Sequence, residues 1–501
     1  MTSLVALTLL ILAQGPAPSP SPTDRPAGAP APIDVVAALE SALADAIARA
    51  EPSIVSIHRH KGANPNETLA VRGRKRAIPI AERDPLEFPM RPIPEDFISF
   101  DYGSGVVIGG KGEILTAFHV VRGADQLVVS AAGGQLFAAE VIAADPRSDL
   151  AVITPVAQPG VDRPRLRPIQ IGDSSKLRKG TFLVALGNPF NAARADGSPS
   201  ASWGILANTA RRLDGEIDSS GFTRKGNRLM NFPTLLQLDA KLNLGMSGGA
   251  VINLKGELVG LTTTASSPAG FDAQAGYAIP MDPMGRRAVE SLRQGKEVEY
   301  GLLGIQADQR FTNRVGQVTP HSPAARGQLQ MNDEVLAVNG VPVTNFDTLI
   351  LAVGPYSPGD AVKLKIRRGD DFIERTIVLA KYPVEGEVIA TNRPPAWRGL
   401  RVDYTSALRL SALAFPDMDV TAAGVVVTDV EEGSPAASAG LKKGVVILKV
   451  RDRPLHSPRA FAEAVDGQDG SVALETDIGV LTVGNGESSR PKASEPPTRG
   501  R

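Results

Sequence analysis

The 501-residue chain has no cysteine. That excludes disulfides, thiolate chemistry and Cys-ligated zinc, but it does not fix a compartment, because exported proteins need not use disulfides. Net charge is also missing: 54 Lys+Arg balance 54 Asp+Glu. Such neutrality argues against bulk attraction to nucleic acid or to an anionic membrane surface. Long apolar runs are scarce. In MTSLVALTLLILAQG the run from Leu4 to Ala13 falls far short of the ~20 residues of a spanning helix and fits the h-region of a secretory signal. No Lys or Arg precedes it, and the small-x-small triplet Ala13-Gln14-Gly15 is followed directly by Pro16. A signal peptide over 1–15 is expected, with a short N-terminal membrane anchor as the alternative. No later segment is long and apolar enough to cross a bilayer.

The length is a fair one for roughly three domains, and 42% hydrophobic residues suffice for real cores. Residues 16–34 hold the tract PAPSPSPTDRPAGAPAP, which has nothing to pack and reads as a linker. Asp34 to Ala50 carries helical spacing, with Asp34 as the expected N-cap. From Ser53 the pattern becomes short β-runs (SIVSIH, GSGVVIGG, GEILTAFHVV, QLVVSAA, DLAVITPV, TFLVALGN) separated by turn residues. That is the mark of an all-β barrel or sandwich. Asn64–Phe100 and Asn191–Asn231 break the rhythm and read as long loops.

Beyond Tyr300 an internal repeat appears. SPAARGQLQMNDEVLAVNGVPV at 322–343 parallels SPAASAGLKKGVVILKVRDRPL at 434–455. Each copy runs from a Ser-Pro-Ala-Ala helix start through a turn (Asn332, Gly444) to an apolar strand, a short helix and a closing strand.

One stretch raises a chemical question. In LNLGMSGGAVINLKGELVGL, Ser247 stands among Gly245, Gly248 and Gly249, and a strand follows at once. A plain β-turn explains this. So does a backbone that turns its N–H groups toward an oxyanion beside a nucleophilic hydroxyl. The second reading requires a histidine and a carboxylate. The chain has only five histidines, and one of them, His119, ends the apolar run ILTAFHVV. In DPRSDLAVI, Asp149 directly precedes another apolar run. Singly, each has an ordinary structural explanation. Together, in the order His, Asp, Ser on a β-rich background, they match the chymotrypsin-type arrangement.

With LTAFHVV, ADPRSDLAVI, ALGNPF (185–190), the Ser247 stretch and AGYAIPMD (275–282), the chain resembles the HtrA/Deg serine proteases. The likeness spans about Ile33 to Gly484. It implies a multidomain chain: an all-β chymotrypsin-like double β-barrel over 35–295, followed by two PDZ-like α/β modules at 300–383 and 397–484; the polar composition of 485–501 separately reads as a disordered tail. It implies that Ser247 is the nucleophile, His119 the general base then acid, and Asp149 the orienting carboxylate. Gly245 and Ser247 N–H groups would form the oxyanion hole. Leu261, Thr262, Thr263 and Thr264 would pair with substrate backbone as an added strand. Leu303, Gly304 and Ile305, and Gly399 with Leu400, would receive peptide C-terminal carboxylates. The resemblance further implies unfolded or misfolded polypeptides as substrates, trimers or larger homo-oligomers, export to the periplasm or cell envelope, and no metal or organic cofactor.

The chain departs from the family in three places. Asn191–Asn231 is longer than the usual loop, Val445 replaces the acid that Asp333 keeps in the first module, and the connection after Ile305 is short. The last of these ranks the second module as the better peptide binder. His58 and His60, at i and i+2, are expected on a solvated strand face rather than at a metal. RGRKR (72–76) reads as a solvated loop, and Asn66-Glu67-Thr68 carries no weight without a host. A chaperone-like protein with an inactive triad, or a PDZ-led scaffold, are the alternatives to an active protease.

Overall fold

The computed structural model describes residues 32–60, 102–157, 162–194, 197–211, 234–263, 276–308, 312–320, 322–384, 388–408 and 424–485. The signal-like segment, the Pro-rich tract, Asn66, Arg72–Arg76 and the C-terminal tail lie outside them.

A helix, α1 (Pro32–Ala50), precedes the sheets. It begins two residues before the expected cap, so Asp34 lies in its first turn, where a carboxylate faces the positive end of the helix dipole. The first barrel is built from β1 (Ile54–His60), β2 (Tyr102–Val107), β3 (Ile114–Ala117), β4 (Gln126–Ala131), β5 (Gln135–Asp145) and β6 (Leu150–Pro155). Its order is β5-β4-β1-β2-β3-β6, and β6 returns to pair with β5. Ile57, Ile114, Val129 and Ile153 are fully buried inside it. The second barrel closes through β7 (Phe182–Gly187), β8 (Ser200–Arg211), β9 (Leu235–Leu238), β10 (Ala250–Ile252), β11 (Leu258–Thr262) and β12 (Gly276–Pro280). β8 occupies ground expected to be loop. Its residues, SASWGILANTAR, alternate Ser, Asn and Thr with apolar positions, so composition hid a strand of half-exposed register.

A helix α2 (Phe118–Val121) leaves the end of β3. A longer one, α3 (Pro283–Arg293), closes the double-barrel unit. Asp282 caps α3 by accepting the Gly285 N–H at 2.8 Å, with proline at the first turn. Its Met284, Ala288 and Leu292 join α1 and both barrels in one continuous core that ends at Tyr300.

The two repeats share a common run of two strands, a short helix, two strands, a second helix and two strands, to which the first adds a short strand at each end. The first has β13 (Gly301–Leu302), β14 (Ile305–Ala307), β15 (Val315–Val318), α4 (Pro323–Arg326), β16 (Glu334–Val338), β17 (Val341–Pro342), α5 (Phe346–Val353), β18 (Ala361–Arg368), β19 (Asp371–Val378) and β20 (Ala380–Lys381). Along β18, Val362, Leu364 and Ile366 point inward while the intervening cations face water. A linker strand, β21 (Ile389–Ala390), follows and pairs with Ala144 and Ala143 of β5. The second repeat then has β22 (Leu400–Tyr404), β23 (Val425–Val430), α6 (Pro435–Ser438), β24 (Val446–Val450), β25 (Arg453–Pro454), α7 (Pro458–Val465), β26 (Val472–Thr476) and β27 (Gly479–Val483). Ser322 and Ser434 cap their helices through Ala325 and Ala437 N–H groups at 3.2 and 3.1 Å. The turn residues Asn332 and Gly444 have φ of 73° and 97°, the left-handed conformation that Asn and Gly tolerate.

Candidate active site

His119 does not end a strand. It sits in the single turn of α2, just after β3, because Phe118 N–H is drawn to Asp149 O at 2.8 Å and the chain turns there. Asp149 precedes β6 with φ of 54°, an αL geometry aspartate accepts. The turn before it is wound around Asp145, whose carboxylate accepts Ser148 N–H at 3.0 Å and Ser148 Oγ–H at 2.6 Å. This local side-chain bonding is what Asp offers a turn.

The turn and α2 bring His119 Nδ1 to 2.8 Å from Asp149 Oδ2, while His119 N–H donates to Oδ1 at 3.0 Å. Thr263 Oγ1 donates to the same carboxylate at 3.1 Å. The imidazole is 41% exposed and the carboxylate 9%. Burial pushes the His119 pKa down, but the charge and hydrogen bond of Asp149 outweigh it, leaving the imidazole above its ordinary 6.5. Among the described residues nothing hydrogen-bonds Nε2.

Ser247 lies in the tight loop between β9 and β10. Its hydroxyl donates to Thr263 O at 3.4 Å. Gly245 has φ of 95°, and a side chain there would strike Asn188 O and the Tyr102 ring. Here only glycine fits. Among the described residues the Gly245 and Ser247 N–H groups have no acceptor, so both are available to an incoming oxygen. Ser104 braces this loop from the other barrel: its N–H donates to Ser247 O at 2.8 Å and its hydroxyl to Gly245 O at 2.7 Å.

The expected substrate strand needs correction. Leu261 is paired on both sides, with Ala250 and Ile279, inside the closed barrel. Thr262 is fully buried and bonds the Ser247 loop itself: its N–H donates to Gly249 O at 2.8 Å, and its O accepts Gly248 N–H at 2.7 Å. Neither has a free edge for a substrate. Thr263 has its carbonyl at the Ser247 hydroxyl, and Thr264 lies outside the described residues. His58 is likewise not solvated. It is buried, with Nε2 3.3 Å from Ser56 Oγ; the His60 side chain lies outside the described residues. No cluster of metal-ligating residues occurs among the described residues.

Leu303, Gly304 and Ile305 line a cavity of about 360 Å³ beside Phe346, Leu349 and Ile350 of α5. A space is thus present between β14 and α5 of the first repeat. Gly399 and Leu400 hold the corresponding loop of the second repeat; Gly304 and Gly399, with φ of 83° and 82°, each pack on the cap serine of their module. What sequence reasoning missed is the far wall of the first cavity. Arg147, from the turn that carries Asp149, lines it and stacks over Tyr382 (3.6 Å to the ring centroid) and Tyr300 (4.3 Å). Tyr300 Oη donates to Asp145 Oδ2 at 2.5 Å. Only the folded chain brings residues so distant in sequence together.

The family model of the trypsin-like peptidase domain matches residues 103–261, and that of the PDZ domain matches 301–379. The periplasmic serine endoprotease DegP of Salmonella typhimurium is 30% identical over 397 residues, covering 76% of this chain and 75% of its own. The chain belongs to the HtrA/Deg family of serine proteases. DegQ of Escherichia coli, named a periplasmic pH-dependent serine endoprotease, is 30% identical over 387 residues, covering 74% of this chain and 77% of its own. A probable periplasmic DegP-like endoprotease of Chlamydia trachomatis is 27% identical over 471 residues, 88% of this chain and 87% of its own. The enzyme class is therefore serine endopeptidase, on a double β-barrel followed by a PDZ domain.

Proposed function

We propose that Ser247 attacks the scissile carbonyl of unfolded or misfolded polypeptides and forms an acyl-enzyme. His119 takes the serine proton at Nε2 and returns it to the leaving amine. Asp149 holds the tautomer with the Nδ1 proton and stabilises the imidazolium. Gly245 and Ser247 N–H groups receive the oxyanion. The observation that carries this reading is the 2.8 Å His119–Asp149 bond together with a glycine-flanked serine at which the Gly245 and Ser247 N–H groups have no acceptor among the described residues. The N-terminal apolar run and the periplasmic relatives support export, with cleavage before or within the Pro-rich tract. The modules at 300–383 and 397–484 bind peptide C-termini through Leu303–Ile305 and Gly399–Leu400 and regulate the protease. The family resemblance supports a trimer or larger assembly.

The test is casein degradation by the wild type beside Ser247→Ala, with a serine-directed phosphonate as label. Ser247→Ala is expected to lose both cleavage and labelling while keeping its fold, a drop of roughly 10⁶-fold in kcat when a triad nucleophile is removed. Cleavage by this variant at a near wild-type rate rejects the assignment.

A further inference from the structure

The two N–H groups assigned to the oxyanion belong to peptide groups whose carbonyls are both pinned from behind. In a trans peptide the C=O and N–H point in opposite directions, so fixing one aims the other. Leu244 O, the partner of Gly245 N–H, accepts Phe190 N–H at 2.8 Å. Met246 O, the partner of Ser247 N–H, accepts Gly249 N–H at 2.9 Å and also the hydroxyl of Thr262. The first anchor is backbone alone. The second includes a side chain, and that side chain is fully buried in β11 with no route to solvent.

We propose that Thr262 is a positioning residue of the hydrolytic site: its hydroxyl, bonded to Met246 O, aims and polarises the Ser247 N–H toward the oxyanion. This rests on the reading of Ser247 and Gly245 given above. Two physical effects follow from one bond. A second donor on Met246 O restrains rotation of the 246–247 peptide, so less reorganisation accompanies formation of the tetrahedral intermediate. Hydrogen bonding at the carbonyl also strengthens the N–H at the other end of the same amide as a donor. Thr262 separates this role from support of the loop, because its own N–H and C=O make the two backbone bonds to Gly249 and Gly248. Those bonds survive any side-chain exchange. Thr262→Val keeps shape and β-branching and removes only the hydroxyl, while Gly249 N–H still satisfies Met246 O.

The test compares full-length wild type, Thr262→Val and Thr262→Ser on a fluorogenic peptide, with active-site titration to count competent sites. It also measures inhibition by a peptide boronic acid, whose adduct with a serine is tetrahedral and anionic. For valine, kcat and boronate affinity are expected to fall together by about tenfold, less than the 10²–10³ lost with a direct donor. KM and the acid limb of the pH profile stay unchanged, and serine restores kcat. An unchanged kcat and boronate affinity in Thr262→Val, a loss confined to KM, or a serine variant as slow as valine overturns the proposal. Ser247→Ala runs in parallel. If it hydrolyses the peptide normally, the reading of the site itself fails. If it is inert while Thr262→Val matches wild type, only the role of Thr262 fails.

Discussion

Tyr300→Phe isolates one bond between the catalytic turn and the chain leading into the first PDZ-type module. The ring is fully buried, and burial together with the neighbouring Asp145 holds its hydroxyl far above the usual tyrosine pKa. It therefore stays a donor across the working pH range. Phenylalanine keeps the ring in the core and under the Arg147 guanidinium, and removes the hydroxyl that donates to Asp145 at 2.5 Å and also meets Ser148. Asp145 retains Ser148 N–H and Oγ–H, so the turn loses one of its anchors without leaving a bare carboxylate. A hydrogen bond to a carboxylate contributes about 2 kcal/mol, which corresponds to about 30-fold in a local opening equilibrium. The assay is amide hydrogen exchange at Ser148 and Phe118, whose N–H groups bond Asp145 and Asp149 O. Exchange at both is expected to accelerate by about that factor, with kcat falling more than KM rises because Asp149 is less firmly held. Exchange within about twofold of wild type at both amides refutes the claim that Tyr300 restrains this turn.

The pH profile is expected to lose activity as pH falls through a value above 6.5, because protonated His119 accepts no proton from Ser247. The stability contribution of the pair runs the other way: a raised folded pKa stabilises fully below 6.5, and that contribution fades as pH rises through the folded value. Asp149→Asn leaves burial unopposed, so the acid limb of kcat/KM moves to lower pH while kcat drops roughly 10⁴-fold; an unmoved limb contradicts the pairing. Gly245→Ala places a methyl against Asn188 O and Tyr102 at a φ that disfavours it. Its kcat is expected to fall roughly 10²-fold or more through a displaced donor, with KM little changed.

The double barrel and the triad order were legible because each polar group interrupts or borders an apolar run, and such interruptions stand out in one dimension. His119 was misplaced on a strand because a four-residue helix is too short to show a 3.6 period. β8 was read as loop because its serines, asparagine and threonine look like turn composition. The substrate strand was drawn too early: nothing local in LTTT tells a barrel-closing threonine from one that faces Asp149, 114 positions away. Asp333 and Val445 show the same limit within the repeats. The acid answers Arg368 at 2.7 Å, whereas the valine is buried in the core of its module; both solve the turn after a positive-φ residue.

The strand β21 makes a closed stitch of the first PDZ-type module. The chain departs from the protease body at Tyr300, moored to Asp145, and returns at Ile389–Ala390 on Ala144–Ala143. Both seams lie within three consecutive residues at the tail of β5. The module is thus a loop of chain drawn shut at its neck rather than a pendant on a single string. A movement of the module would have to turn about that neck or part β21 from β5, and either would pull on the few residues leading into the Asp149 turn. The second module is sewn on differently. Beyond the neck its ties to the first include Tyr404, whose hydroxyl donates to Pro358 O at 3.3 Å, and Lys381, an ammonium shared among Asp403, Glu297 and Glu299 at 2.7–3.4 Å. Acid loosens such a knot by protonating its carboxylates, helped at Glu297 by burial that raises its pKa, whereas a β-ladder has no such group to titrate.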